Sequence, residues 1–131
     1  MERGKVLVVD DQTIVRETIA DILVHEGYSV TSTGSGEQAL EMMRKEKFDI
    51  LLSDIKMPGM NGLDLIEKVH QNYPDVIAIL LTAYPSIDSI DQAIIRLGAF
   101  DYLLKPVRRE QLCETVAKAM ERKKTLKAFD F

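Results

Sequence analysis

The feature that most constrains this chain is an alternation. Five short strand-like runs, Val6–Val9, Tyr28–Ser32, Ile50–Ser53, Val76–Leu81 and Phe100–Leu104, are separated by longer stretches with helical periodicity. Several runs are apolar throughout rather than at every second position, which suits strands covered on both faces. Val15, Ile19, Ile22 and Leu23 form a first helical stripe, closed by Gly27. Ser35-Gly36-Glu37-Gln38 has the form of a capping box ahead of Ala39, Leu40 and Met43. Leu63, Ile66 and Val69 mark a third stripe. Ile90, Ala93, Ile94 and Leu97 mark a fourth, ended by Gly98, and Leu112, Val116, Ala119 and Met120 a fifth. Five strand–helix units predict an α/β fold, a doubly wound parallel sheet with right-handed crossovers and helices on both faces. Ligands of such sheets bind beyond the carboxyl ends of the strands.

Four of those five ends are polar. Asp10 and Asp11 follow the first run, Asp54 the third, Thr82 the fourth, and Lys105 with Pro106 the fifth. If the first and third strands are neighbours, three carboxylates converge, and they repel one another unless a cation joins them. Oxygen ligands with room for water suit Mg2+. Lys105 adds a fixed positive charge and Thr82 a hydroxyl donor. A metal, an ammonium and a hydroxyl around one carboxylate form a cradle for a phosphoryl group, with Asp54 as a nucleophile of the kind that forms an acyl phosphate. Directly after Asp54, "IKMPGMNG" at 55–62 turns through Pro58, Gly59 and Gly62. The loop over 57–62 is expected to pin the strand end and to present a backbone carbonyl to the metal.

Taken singly, each residue has an ordinary explanation. Asp10 or Asp11 can cap a helix, Asp54 can begin a turn, Thr82 is a β-branched strand residue, and Lys105 can be a solvated loop lysine. Their joint placement at four strand ends outweighs these readings. Composition narrows the field further. A chain of 131 residues, 46% hydrophobic and 29% charged, is one globular domain. Its net charge of −4 argues against a general nucleic-acid binder. A single cysteine, Cys113, excludes an internal disulfide and fits a cytoplasmic setting. No apolar run reaches the length of a membrane span, and the N-terminus does not have the form of a signal peptide.

With these pieces in place, the sequence resembles the receiver domain of two-component response regulators. The matching stretches are "VLVVDD" at 6–11, "DIKMPGMNG" at 54–62, "LLTAY" at 80–84 and "GAFDYLLKP" at 98–106, in order and at strand ends. The resemblance runs from about residue 4 to residue 122. It implies a flavodoxin-like five-stranded sheet of order 2-1-3-4-5 with five helices, and a receiver domain over 1–122. It implies that Asp54 takes a phosphoryl group from a phosphohistidine on a sensor histidine kinase or phosphotransfer protein. Asp11, Asp54 and the backbone carbonyl of Lys56 would hold Mg2+, with Asp10 assisting through water. Lys105 would pair with the phosphoryl group, and its bond to Pro106 would be cis. Thr82 and Tyr102 would be the switch residues, repacking the surface of helix four, strand five and helix five, which is also the plausible homodimer face. Lys56 and Tyr84 lie two residues after Asp54 and Thr82, at positions the resemblance sets beside the path of a hydrolytic water. Asn61 stands where the family often has Asp.

"TAYPSIDSIDQAI" and "GAFDYLLKP" look like receivers of ATPase-type transcription activators. Residues 123–131 are therefore expected to extend helix five or to begin a linker to a further domain. The receiver itself is expected to contact no nucleic acid and no membrane. His25 and His70 lie on predicted helix surfaces without partner spacing, and Cys113 reads as an inert small hydrophobe. Two other functions share parts of the pattern. An Asp-nucleophile phosphohydrolase of the haloacid dehalogenase type expects two Asp separated by one position, and here they are adjacent. A flavodoxin needs a Ser/Thr-rich phosphate loop, and "DDQTIV" would repel a phosphate.

Overall fold

A computed structural model of the chain describes residues 3–83, 86 and 90–128. The strands are β1 (Lys5–Val9), β2 (Ser29–Thr33), β3 (Ile50–Asp54), β4 (Ile77–Thr82) and β5 (Asp101–Leu104). All pair in parallel, in the order β2-β1-β3-β4-β5. The helices are α1 (Thr13–His25), α2 (Gly36–Lys45), α3 (Gly62–Asn72), a short α4 (Gln92–Arg96) and α5 (Arg109–Ala128). The expected architecture and strand order are those observed. Each strand lies within one residue of its expected limits, and Asp54 and Thr82 are the last residues of their strands.

The continuous apolar runs have the predicted cause. Leu7, Val9, Leu51 and Leu80 face one core with Ala39, Leu65 and Ile66, while Val6, Val8, Ile50, Leu52 and Ile79 face the other with Ile19, Leu23, Leu112 and Val116. Helices α2 and α3 thus cover one face of the sheet and α1 and α5 the other. Edge strand β2 is only half-buried except at Thr33, which is why its residues "SVTST" are the least apolar.

Three local expectations change. The fourth helix is wound as a π-helix over Gln92–Arg96, with the Leu97 amide donating to the Gln92 carbonyl at 2.9 Å. Ser35 caps α2 by accepting from the Gln38 amide, but the Gln38 side chain accepts the Thr33 hydroxyl instead of closing a reciprocal box on Ser35. In α3, Leu65 joins Ile66 and Val69 in the core, and Leu63 is only half-buried. The expectation for Tyr84 and the last three residues of the tail lie outside the described residues.

Helix α5 runs past residue 122 without a break. Its core stripe, Leu112, Val116 and Ala119, is continued by Lys123, whose stem is buried and whose Nζ lies 2.8 Å from Asp49 Oδ1. The other oxygen of Asp49 accepts from the Lys5 amide at 2.8 Å. One carboxylate therefore joins the starts of β1 and β3 to the far end of α5. Asp49→Ala strands a lysine with only 10% of its side chain exposed. We expect it to cost about 2–3 kcal/mol, at the lower end for a buried pair because Asp49 is partly solvated. Lys123→Met keeps the buried stem and leaves Asp49 its amide partner and water, and should cost under about 1 kcal/mol. Urea unfolding of the two variants checks this asymmetry, and equal losses would contradict it.

Candidate phosphoacceptor and metal site

Strand register assembles the site. Val9 lies opposite Ser53, so Asp10 at the end of β1 stands beside Asp54 at the end of β3. Thr82 lies opposite Leu104, and the Lys105 amide continues that ladder by donating to the Thr82 carbonyl at 2.8 Å. Strand β5 is two places from β3, about 10 Å at ordinary strand spacing. The long stem of Lys105 bridges this gap. Its Nζ lies 3.1 Å from Asp54 Oδ2 and 2.6 Å from Asp10 Oδ2. The Lys105–Pro106 peptide bond is cis.

The two neighbouring carboxylates of the Asp10–Asp11 pair have different surroundings. Asp10 is fully buried, with Oδ1 accepting from the Gln12 amide at 2.9 Å and Oδ2 facing Lys105. Asp11 is exposed and opens onto a cavity of about 320 Å³. Asp11, Gln12, Asp54, Lys56, Thr82 and Lys105 line that cavity. One carboxylate oxygen from each of Asp10, Asp11 and Asp54 lies within 4.8 Å of the other two. An all-oxygen set of this size, open on one side to solvent, fits a hard divalent cation that keeps some of its water. Tyr102 does not line the cavity. It is half-buried against the core beneath α2 and α3.

Electrostatics follow from this packing. Burial raises the Asp54 carboxyl above its ordinary pKa. Lys105 opposes that rise and the Asp10 charge adds to it. Burial alone would lower the Lys105 ammonium, but the carboxylates of Asp10 and Asp54 outweigh it and its pKa is raised. One ammonium is thus shared between two carboxylates.

The loop after Asp54 is closed on itself. The Gly62 amide donates to the Ile55 carbonyl at 2.7 Å, Asn61 caps α3 by accepting from the Asp64 amide, and Glu37 of α2 accepts from the Met60 amide at 2.8 Å. Gly59 has a positive φ of 76°, the turn conformation expected of it. Gly62 serves a different purpose. It is the first residue of α3, and a Cβ there would stand 1.9 Å from the Asp54 carbonyl oxygen. Glycine is required by close approach of two backbones rather than by a turn. Glu37 and Gln12, whose main chain or side chain orders these loops, were not expected from sequence. Their partners are 23 and 2 residues away, and only the second is a local signal, an Asx-type turn.

Residues 6–117 match the model of the response regulator receiver domain. The response regulator protein FleR of Pseudomonas aeruginosa is 38% identical over 115 residues, 88% of this chain and 24% of its own. The DNA-binding transcriptional regulator NtrC of Escherichia coli is 38% identical over 120 residues, 92% of this chain and 25% of its own. The chain thus spans about a quarter of the length of these curated relatives. A crystal structure of a CheY-like response regulator receiver domain protein from Methanospirillum hungatei superposes with a TM-score of 0.89 at 31% identity, covering 93% of this chain and 97% of that one.

Proposed function

This chain belongs to the response regulator receiver domain family, and from that premise we propose that it is a phosphorylation-controlled signalling module with Asp54 as the phosphoacceptor. The observation that carries this reading is the placement of Asp54 beside one ammonium and two further carboxylates in the lining of an open cavity. The Asp54 carboxylate attacks the phosphorus of a phosphohistidine on a sensor histidine kinase or phosphotransfer protein, the P–N bond breaks, and the histidine leaves with the electron pair. Asp11 and Asp54, with the Lys56 carbonyl, would hold Mg2+, with Asp10 assisting. When bound, the cation neutralises charge on the transferring group. Lys105 supplies a further positive charge, and its raised pKa keeps it protonated throughout the physiological range.

Thr82 then turns toward the phosphoryl oxygens, and Tyr102 follows into the space behind it. The new charge biases a surface made of α4, β5 and α5. That surface carries exposed Ile95 and Leu104, apolar residues available for a homodimer or a further domain. NtrC is a DNA-binding transcriptional regulator, and control of transcription is the output we assign to the whole protein.

A phosphohydrolase built on the same carboxylate would turn over. Incubation with p-nitrophenyl phosphate and Mg2+ separates the two functions. The signalling reading predicts no sustained release of product, and release of many phosphates per protein would contradict it.

A further inference from the structure

The turn that delivers Asp10 and Asp11 is gripped from outside the site. Nη1 of Arg16 donates to the Asp10 main-chain carbonyl at 3.1 Å. The same guanidinium lies over Gly34, 3.4 Å from where a Cβ would stand. The Asp10 amide donates to the Thr33 carbonyl at 3.1 Å. Gln12, the N-cap of α1, makes no side-chain capping bond, so the usual anchor of a helix start is replaced by Asp10 on one side and Arg16 on the other. The loop beneath Arg16 is held at its far end too. Met60 packs over Gly36, and Glu37 takes the Met60 amide. Residues 34–37 therefore span from the Asp10–Asp11 turn to the segment that follows Asp54.

We propose that Arg16 is a positioning residue for the divalent cation. By fixing the Asp10 carbonyl against the loop at Gly34, it sets the direction in which Asp11 leaves β1, so that the Asp11 carboxylate meets that of Asp54. The inference rests on the Mg2+ reading above. Outer supports of this kind typically change metal affinity tenfold or more.

Charge makes the test sharp. Arg16 is a cation bonded to the main chain of the turn that carries Asp10 and Asp11, so removing its charge would by electrostatics alone tighten Mg2+ binding. Positioning predicts the opposite sign. Mg2+ is titrated calorimetrically into the parent, Arg16→Met and Arg16→Lys, with the thermal midpoint of each metal-free protein measured alongside. The expected result is a Kd raised about tenfold in Arg16→Met. Arg16→Lys, which keeps the charge and stem without the planar fork, should fall between the two. An unchanged or lowered Kd in both variants overturns the inference, whatever happens to the metal-free midpoint. Should Arg16→Met not fold, Arg16→Lys decides alone, by a raised or an unraised Kd. A parent that takes up no Mg2+ overturns the cation reading itself and this inference with it, an outcome distinct from uptake that ignores Arg16.

Discussion

Gly62→Ala should lower the unfolding free energy by more than about 4 kcal/mol, beyond the range of most single substitutions. The added methyl carbon would stand 1.9 Å from the Asp54 carbonyl oxygen, 2.8 Å from the Asp54 carbonyl carbon and 2.9 Å from the Ile55 Cα. All three atoms are backbone, and the Gly62 amide is bonded to the Ile55 carbonyl, so neither chain can retreat without breaking the link between β3 and α3. Gly36→Ala is the matched control. There the three nearest atoms all belong to the Met60 side chain, at 3.1–3.2 Å. A flexible thioether gives way, so about 1 kcal/mol is expected. Urea unfolding followed by circular dichroism compares the two, and similar midpoints would contradict the account. Any folded Gly62→Ala protein should also be impaired as a phosphoacceptor, because the displaced backbone belongs to Asp54.

Lys105→Met is the second large effect. The substitution leaves two neighbouring carboxylates, one fully buried, without the ammonium that sits 2.6 and 3.1 Å from them. Removing one partner from a buried ionic group costs about 3–5 kcal/mol. Here the loss is limited by protonation, since like charges side by side raise one carboxyl pKa further. The sign is then determined. A carboxyl whose folded pKa lies above its unfolded value adds stability below the unfolded pKa, and that stability is lost as pH rises through the folded pKa. The deficit of Lys105→Met relative to the parent should therefore be larger at pH 8 than at pH 5. Mg2+ should recover much of it at pH 8, because a ligand that binds only the folded state stabilises it. Thermal melts at the two pH values, with and without Mg2+, check both statements. A deficit that is independent of pH and of Mg2+ would mean that Lys105 acts through packing alone.

Much of this site is legible in sequence because a parallel sheet converts linear position into spatial position. Once Val6–Val9 and Ile50–Ser53 are read as adjacent strands, Asp10 and Asp54 must lie side by side, and the ends of β4 and β5 must add Thr82 and Lys105. Fully buried strands are easy to read, because both faces demand apolar residues. The parts that escape this reading are contacts between distant surface residues. Lys123 sits in a basic stretch and looks solvated, yet it falls four residues after Ala119 on the α5 core stripe, a position that only its partner Asp49 makes tolerable. Arg16 and Glu37 act on main-chain atoms, which carry no sequence identity to pair with. Gly62 could be recognised as a loop glycine, but the reason for it is a three-dimensional approach of backbones. The π-helical winding of α4 has no evident local signal; its apolar spacing at Ile90, Ala93, Ile94 and Leu97 is that of an ordinary α-helix.

We propose that Asp54 accepts a phosphoryl group in a site completed by Mg2+. Intact-mass spectrometry after incubation with acetyl phosphate tests this most directly. The parent protein with Mg2+ should gain the mass of one phosphoryl group, and the gain should vanish in Asp54→Asn and when Mg2+ is withheld. No gain in the parent, or an equal gain in Asp54→Asn, would contradict the account.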